Sequence, residues 1–515
     1  MKKEKSVIII GAGLGGLSAG CYSRMNGYRT RILEKHFLPG GNCTSWKRGK
    51  YIFDPCISWL MGTRRGTEMG QIWRELGATQ GREIINFDCF NNIVGKDGRV
   101  LRFFIDPDKL EAHLKELSPE DEKPIKKYCN ALRLYNKGSD VPFLKPGPLF
   151  NLFDGMKIFW KLKHLGPISD WVMNTRMLDF SKEFKDPLLQ EAFNHIFYLY
   201  NQGFVIVPSL HILGYMNTKH AGYPAGGSLD FAQSIANRFT ELGGEIQYRA
   251  EVKKILTCNN RAYGVELTDG TRQFADIIIS AADWRHTLYK LLNAEFVDAR
   301  TEELRYNLEN KNSSRFQAFT MVFLGVRDAL EDMPHNSTFL LGEEELKLMP
   351  DNLYHGLAVM NRSKYDPLFA PKGHSVVFCF YYGDYDYWKK IYPDKELYNQ
   401  EKRKLAGNLI AFLAKRYPRI KDKVEEIDVS TPVTIERYTN NYKGSIMGWS
   451  LFDREDELIS ELTRDNSMGI PGLANCYMTG HWMSFGGTIR AATSGRHVMQ
   501  FICRDDRKKF RAVTA

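Results

Sequence analysis

Ser6-Val7-Ile8-Ile9-Ile10-Gly11-Ala12-Gly13-Leu14-Gly15-Gly16, with Glu34 lying 18 residues beyond Gly16, is the stretch that decides the fold. The run Val7 to Ile10 is apolar without alternation, as expected of a strand buried on both faces of a parallel sheet. Glycines come directly after it in the order G-x-G-x-x-G. Gly11 permits a tight turn, Gly13 leaves room for a pyrophosphate against the backbone, and Gly16 lets the next helix pack close to the sheet. The spacing predicts a helix from Leu14 to Asn26, stopped by Gly27, whose free amino-terminal N–H groups and dipole face the phosphates. Tyr28 to Leu33 reads as the second strand and delivers Glu34 to its end, where a carboxylate accepts hydrogen bonds from ribose hydroxyls and repels a 2′-phosphate. The pattern therefore favours FAD or NAD over NADP.

The residues just beyond Glu34 and Lys35 separate those two cofactors. Pro39-Gly40-Gly41-Asn42-Cys43-Thr44-Ser45 places a second glycine pair just past the acidic strand end, which lets the chain pass tightly over the ribityl-pyrophosphate of a longer cofactor, so FAD is expected. With Gly49 and Tyr51-Ile52-Phe53-Asp54, the region resembles the amino-terminal signature of the phytoene desaturase, carotenoid isomerase and retinol saturase family of flavoproteins. Members usually carry a glycine and a histidine soon after the Phe-Asp pair. This chain has Pro55-Cys56-Ile57-Ser58-Trp59 instead.

Two later regions carry the same resemblance. Gly222-Tyr223-Pro224-Ala225-Gly226-Gly227-Ser228 precedes an amphipathic helix that Ser228 is placed to cap. Beyond Gly243-Gly244 come a strand at 246–248, a hairpin turning at Asp269-Gly270, and a buried strand running to Ser280. The resemblance implies that Val252 lies beside the adenine. Near the carboxy terminus, Asn475 to Met478 reads as a short strand. It is followed by Gly480-His481-Trp482 and by Phe485-Gly486-Gly487-Thr488-Ile489-Arg490, which opens a helix with Ile489, Ala492, Met499 and Ile502 inward. By the resemblance, Gly480 lies at the flavin, and the N–H groups near Gly487, Thr488 and Ile489 point at its pyrimidine edge, where negative charge develops on reduction. Members often carry an aspartate where this chain has His481.

The cofactor segments thus lie at both ends of the chain. The expected architecture is α/β: a Rossmann-like, glutathione-reductase-like FAD domain from 1–100, 216–290 and 451–515, with a discontinuous α+β substrate domain from 101–215 and 291–450. At 515 residues, with 43% hydrophobic and 26% charged composition, the chain suits two folded domains. The nine cysteines are scattered with no C-x-x-C pair, which argues for reduced thiols, a cytoplasmic setting and no metal or iron–sulfur site. The basic start Met1 to Lys5 is followed by too short an apolar run for a secretory signal, and no window reaches a membrane span. A formal charge of +10, from 71 basic and 61 acidic residues spread along the chain, gives no nucleic-acid footprint. Residues 149–165 mix aromatic, apolar and basic side chains as interfacial segments do, so peripheral contact with the cytoplasmic membrane is expected there. A core helix with solvated lysines is the plainer alternative.

No nucleophile elbow, metal spacing or convincing acid pair is present, so the cofactor must carry the chemistry. The resemblance implies a long apolar polyene, isoprenoid or unsaturated lipid, desaturated, saturated or isomerised at carbon–carbon bonds. His481 and Tyr438 are the candidate proton-handling residues, with His195 a third, and Asp54 is either a cofactor contact or a structural carboxylate. Two other readings compete. One is an amine oxidase-like flavin dehydrogenase acting on another small molecule. The other is a non-catalytic lipid carrier of the same fold, which ought to show eroded glycine motifs.

Overall fold

Strand β1 (Ser6–Ile10) is continuously apolar because both of its faces are covered. Val7 and Ile9 point into one core, Ile8 and Ile10 into another, and each such buried aliphatic side chain contributes roughly 1.5–3 kcal/mol. The computed structural model describes residues 4–138, 144–199, 204–310, 318–448, 468–483 and 486–515. Trp449, Phe485 and the 451–467 part of the expected cofactor domain lie outside them.

β1 is the centre of a five-stranded sheet in the order Glu245–Tyr248, β2 (Arg29–Glu34), β1, Ile277–Ser280, Cys476–Met478, all parallel. Its strands come from three distant parts of the sequence, so the sheet is complete only when segments from both ends of the chain meet. Helix α1 (Leu14–Met25) covers one face together with α2 (Thr488–Asp505), which comes from the other end of the chain. The hairpin sheet of Val252–Cys258, Arg261–Leu267 and Arg272–Phe274 covers the opposite face.

A second, seven-stranded sheet holds Cys89–Val94 and Val100–Phe104 beside five strands from 319–430. The cofactor segment expected to reach residue 100 therefore ends before Cys89. The strand at 89–94 pairs in parallel with Asn336–Leu340, a partner more than two hundred residues away that no local pattern announces.

The helix after Gly227 also differs from expectation. It starts at Gly227 from a cap at Gly226, whose φ of +104° suits glycine, and Ser228 is already inside the first turn. The Ser228 hydroxyl instead donates to Asp54 Oδ1 at 2.7 Å, and its backbone N–H donates to Asp54 Oδ2 at 2.6 Å. The Cys56 N–H adds a third bond to this buried carboxylate at 3.0 Å, and the buried Arg362 guanidinium stands 3.4 Å away. Asp54 is thereby a structural carboxylate that ties the amino-terminal segment to that helix.

Segment 149–165 is no core helix. Its helix, Leu152–Leu162, opens on a capping box between Asn151 and Asp154 and buries none of its residues. Leu152 is 78% exposed, Phe153 74%, Phe159 65% and Trp160 65%, a contiguous apolar display that single surface residues do not make. Lys163 lies over the Trp160 ring at 3.8 Å, and Lys157 pairs with Glu68 at 2.7 Å. Among the described residues no helix is long and apolar enough to cross a membrane.

Candidate functional site

Two helices begin side by side at the carboxyl ends of the strands, and both begin from glycine. Gly13 precedes α1 and Gly487 precedes α2, and neither offers a side chain to the first-turn N–H groups. The glycines around them divide into two kinds. A Cβ on Gly16 would lie 2.0 Å from the Gly11 carbonyl oxygen, and one on Gly15 would lie 2.6 Å from Gly480 Cα, so protein packing alone forbids side chains there. A Cβ on Gly13 meets nothing closer than the Gly40 oxygen at 4.0 Å, and one on Gly487 meets nothing within 4 Å. Open space in front of uncapped helix starts fits an anionic ligand such as a pyrophosphate.

The second glycine pair closes the cradle. Gly40 N–H donates to the Ala12 carbonyl at 2.8 Å, and Gly40 and Gly41 both have positive φ, +112° and +61°. Glu34 is nearly buried, and its two carboxylate oxygens accept the Ala12 N–H at 2.7 Å and the His36 N–H at 2.8 Å. The carboxylate keeps further lone pairs for hydroxyl donors. Ala250 donates to the Glu34 carbonyl at 2.8 Å and Arg249 to His36 at 3.1 Å, which brings the buried Val252 to the same end of the sheet. Gly13, Glu34, Gly40 and Gly41 are thus brought together at the carboxyl ends of β1 and β2, with Val252 near them, while Gly16 serves the packing of α1 on the turn.

Lys35 and Asn42 reach elsewhere. The Lys35 ammonium donates to Asn440 Oδ1 at 2.7 Å and to the Arg437 carbonyl at 3.1 Å, and burial lowers its pKa. Asn42 Nδ2 donates to the Ile446 carbonyl at 3.1 Å. Both side chains tie the cradle to the 437–446 segment.

At the far side of the groove Gly480 has φ +99°, its N–H donates to Ser494 Oγ at 2.8 Å, and it rests on the first turns of α1 and α2. Thr488 and Ile489 come after Gly487 in that turn of α2. His481 packs beneath Gly448, and its Nε2 has no hydrogen-bond partner among the described residues. Burial pushes its pKa down to about 4, so the ring is neutral at neutral pH. Tyr438 is half exposed with its ring edge on His36, and no hydrogen bond joins it to His481 among the described residues. His195 is buried in the other domain with Nδ1 against the Glu191 carbonyl at 2.8 Å. The three proton-handling candidates therefore do not form one constellation.

The structure adds residues that the sequence did not single out for the site. Gly15 and Gly495 allow α1 and α2 to cross in contact; a Cβ on Gly495 would lie 2.5 Å from Ala19 N. Ser18 Oγ then bonds the Ala492 carbonyl at 2.6 Å. Small residues at helical spacing on both helices were the available signal. Asp283, just past the strand ending at Ser280, accepts N–H groups of His286 at 2.7 Å and Tyr442 at 2.9 Å, and burial pushes its carboxyl up to about 6.

The lowered pKa of His481 has a consequence for stability. Its unfolded value near 6.5 exceeds the folded one, so the unfolded chain binds the extra proton, and stability falls as pH drops from about 6.5 to 4. The full loss is about 3 kcal/mol from this residue. Thermal melts of His481→Gln across that window should show a shallower decline than the parent. Parallel curves would mean the ring is solvated.

The comparisons agree with this geometry. Residues 14–500 match the family described as flavin containing amine oxidoreductase. A prolycopene isomerase 2 from an Oncidium hybrid cultivar is 26% identical over 470 residues, covering 86% of this chain and 75% of the relative. A lycopene-forming phytoene desaturase from Paracoccus sp. is 25% identical over 389 residues, covering 72% and 74%. The crystal structure of a putative protoporphyrinogen oxidase from Exiguobacterium sp. superposes with a TM-score of 0.60 at 12% identity, over 98% of this chain and all of that one.

Proposed function

The chain belongs to the flavin containing amine oxidoreductase family, it is an FAD-dependent oxidoreductase, and from that premise we propose that it acts on carbon–carbon bonds of a long apolar polyene or unsaturated lipid. The observation that carries the proposal is the similarity to a prolycopene isomerase over 86% of the chain and to a phytoene desaturase over 72% of it, both named for polyene substrates. When bound, the flavin supplies two-electron redox chemistry at carbon. The chain's own contribution is to hold the cofactor and exclude water. Gly13, Gly487 and the first-turn N–H groups of α1 and α2 offer donors for negative charge, and Glu34 holds the ribose end. The intact glycines speak against a carrier that has lost its cofactor.

Support for an apolar substrate comes from the second sheet. A chain of ring contacts runs Phe53, Phe323, Phe378, Phe380, Tyr198, Phe90 and Trp59, each pair within 6.2 Å between centroids. Apart from the partly buried Trp59, the rings are buried and packed on one another, which makes the second domain strongly apolar next to the segment that carries Phe53. His481, held neutral, is the group we assign to accept or return a proton near Gly480.

Anaerobic titration of the oxidised protein with polyenes, unsaturated lipids and amines tests the proposal. Bleaching of the flavin by a polyene or lipid indicates desaturation, and reoxidation of chemically reduced flavin by the same compounds indicates saturation. Isomerisation would be seen by chromatography as conversion of a polyene by the reduced protein without net change in flavin. Bleaching by amines alone would sink the proposal.

A substrate of this kind resides in membranes, and we assign the helix Leu152–Leu162 to the surface of an anionic bilayer. The exposed Phe153, Phe159 and Trp160 provide the insertion, and the exposed Lys163, over the Trp160 ring, brings positive charge to acidic headgroups. Phe153→Ser, Phe159→Ser and Trp160→Ser combined should reduce co-sedimentation with phosphatidylserine-containing vesicles by at least about tenfold, since each ring contributes roughly 1.5–3 kcal/mol of burial. Unchanged co-sedimentation would remove the assignment.

A further inference from the structure

A segment of the second domain is laced onto the carboxyl edge of the cofactor sheet. Helix Pro432–Thr439 ends at Asn440, and the chain then folds back on it: a Cβ on Gly444 would lie 2.1 Å from the Pro432 carbonyl oxygen. Helix and strap therefore form one body. Glu436 and Lys443 fasten that body to the second domain, accepting from the Tyr385 hydroxyl at 2.8 Å and donating to Asp386 at 3.2 Å.

The strap is also bound to the cofactor domain, on both sides of the glycine turn that follows β1. On the β2 side, Lys35, next to Glu34, donates to Asn440 Oδ1 at 2.7 Å, and Asn42, next to Gly41, donates to the Ile446 carbonyl at 3.1 Å. On the opposite side, Asp283, just past the strand Ile277–Ser280, accepts the Tyr442 N–H at 2.9 Å, and the Arg285 guanidinium stands over the Tyr442 ring at 4.9 Å. Trp482, two residues beyond Gly480, donates its indole N–H to Asn441 Oδ1 at 3.2 Å. In the sheet, β1 lies between β2 and Ile277–Ser280. A strap bound at the ends of both neighbours passes across the end of β1, where the cradle lies.

These fastenings are single bonds that belong to no helix or sheet, so the strap can come away with both sheets intact. Its backbone is held rather than relaxed. Asn440, Lys443 and Gly444 all have positive φ, +59°, +51° and +69°. Asparagine and glycine adopt that region readily, whereas a lysine does so only where its surroundings impose it.

We propose that residues 440–446 are the closing wall of the cofactor site, and that this strap must detach from Lys35, Asn42, Asp283 and Trp482 before FAD can enter or leave. Flavin exchange is then gated by a helix of the second domain and not by the cradle alone. The proposal rests on the FAD assignment and stands apart from which substrate is turned over.

The test compares the full-length protein with the double variant Asn440→Gly, Asn441→Ala. The first substitution keeps the left-handed backbone while removing the acceptor of Lys35, and the second removes the acceptor of Trp482. Release is followed as exchange of bound FAD for radiolabelled FAD, and capture by visible absorbance after flavin-free protein is mixed with FAD. Both rates should rise by at least about tenfold, because two bonds, one of them from a charged donor, no longer hold the strap. Faster release with unchanged capture would make the strap a simple contact, and two unchanged rates would make it a bystander; either result overturns the proposal. The unsubstituted protein gives an independent reading even where the variant fails to fold. Its observed capture rate should level off as FAD concentration rises, at the rate of strap opening. A capture rate that stays proportional to FAD concentration overturns the gate.

Discussion

Gly13→Val is expected to give a folded but colourless protein, whereas Gly16→Ala is expected to give one that barely folds. The two substitutions touch glycines three residues apart, yet they act on different links of the chain from sequence to function. At Gly16 the added carbon would sit 2.0 Å from the Gly11 oxygen, in the turn between β1 and α1, and 3.2 Å from Ala281 Cβ, just past the neighbouring strand Ile277–Ser280. Overpacking costs roughly 1–3 kcal/mol where side chains can yield, and more where the obstacle is backbone. At Gly13 the backbone is extended, with φ −68°, and the nearest atom to a Cβ is 4.0 Å away, so the folded state tolerates a side chain. That side chain fills the space in front of the first-turn N–H groups, and flavin occupancy should fall by at least about tenfold, the equivalent of 1.4 kcal/mol. Circular dichroism with visible absorbance per polypeptide separates the two outcomes. A yellow Gly13→Val protein would place the pyrophosphate elsewhere.

The second large effect is expected at Glu34. Its carboxylate organises the cradle before any ligand arrives, because it accepts N–H groups on both sides of itself, from Ala12 and from His36. Hydrogen bonds to a charged group contribute roughly 1.5–3 kcal/mol each, so Glu34→Arg removes an acceptor that two backbone donors need and puts a cation in its place. Flavin per polypeptide should drop by more than about tenfold in Glu34→Arg, and less in Glu34→Gln, which keeps one acceptor oxygen. Equal, undiminished flavin content in both variants would mean that the carboxylate only props the turn.

Local pattern carried much of this. The apolar run of β1, the glycines after it, the stop at Gly27 and the acid at the end of β2 are dictated by strand and helix geometry over short spans, and the structure has them where the spacing placed them. The helix at Thr488 and the hairpin turning at Asp269-Gly270 were legible for the same reason. The features that the sequence hid depend on partners far away in it. The strand Cys89–Val94 looks like any short strand until its partner at 336–340 is known. Ser228 stands where a capping residue could stand, and only the buried Asp54 explains why its hydroxyl turns away from the helix start. Gly495 reads as a weak point in a helix until α1 is seen against it.

The bond from Ser18 to the Ala492 carbonyl spans 474 residues of sequence. A ribosome making this chain releases β1, α1 and the acidic strand first, and must then synthesise the entire second domain before the strand Cys476–Met478 and helix α2 arrive to finish the sheet and the second helix start. Until then α1 exposes the glycine-lined face that α2 will cover, and half of the flavin's binding groups do not exist. Cofactor capture is accordingly a late event in the birth of the molecule, and a stalled or prematurely released chain is a substrate for chaperones rather than a weak enzyme.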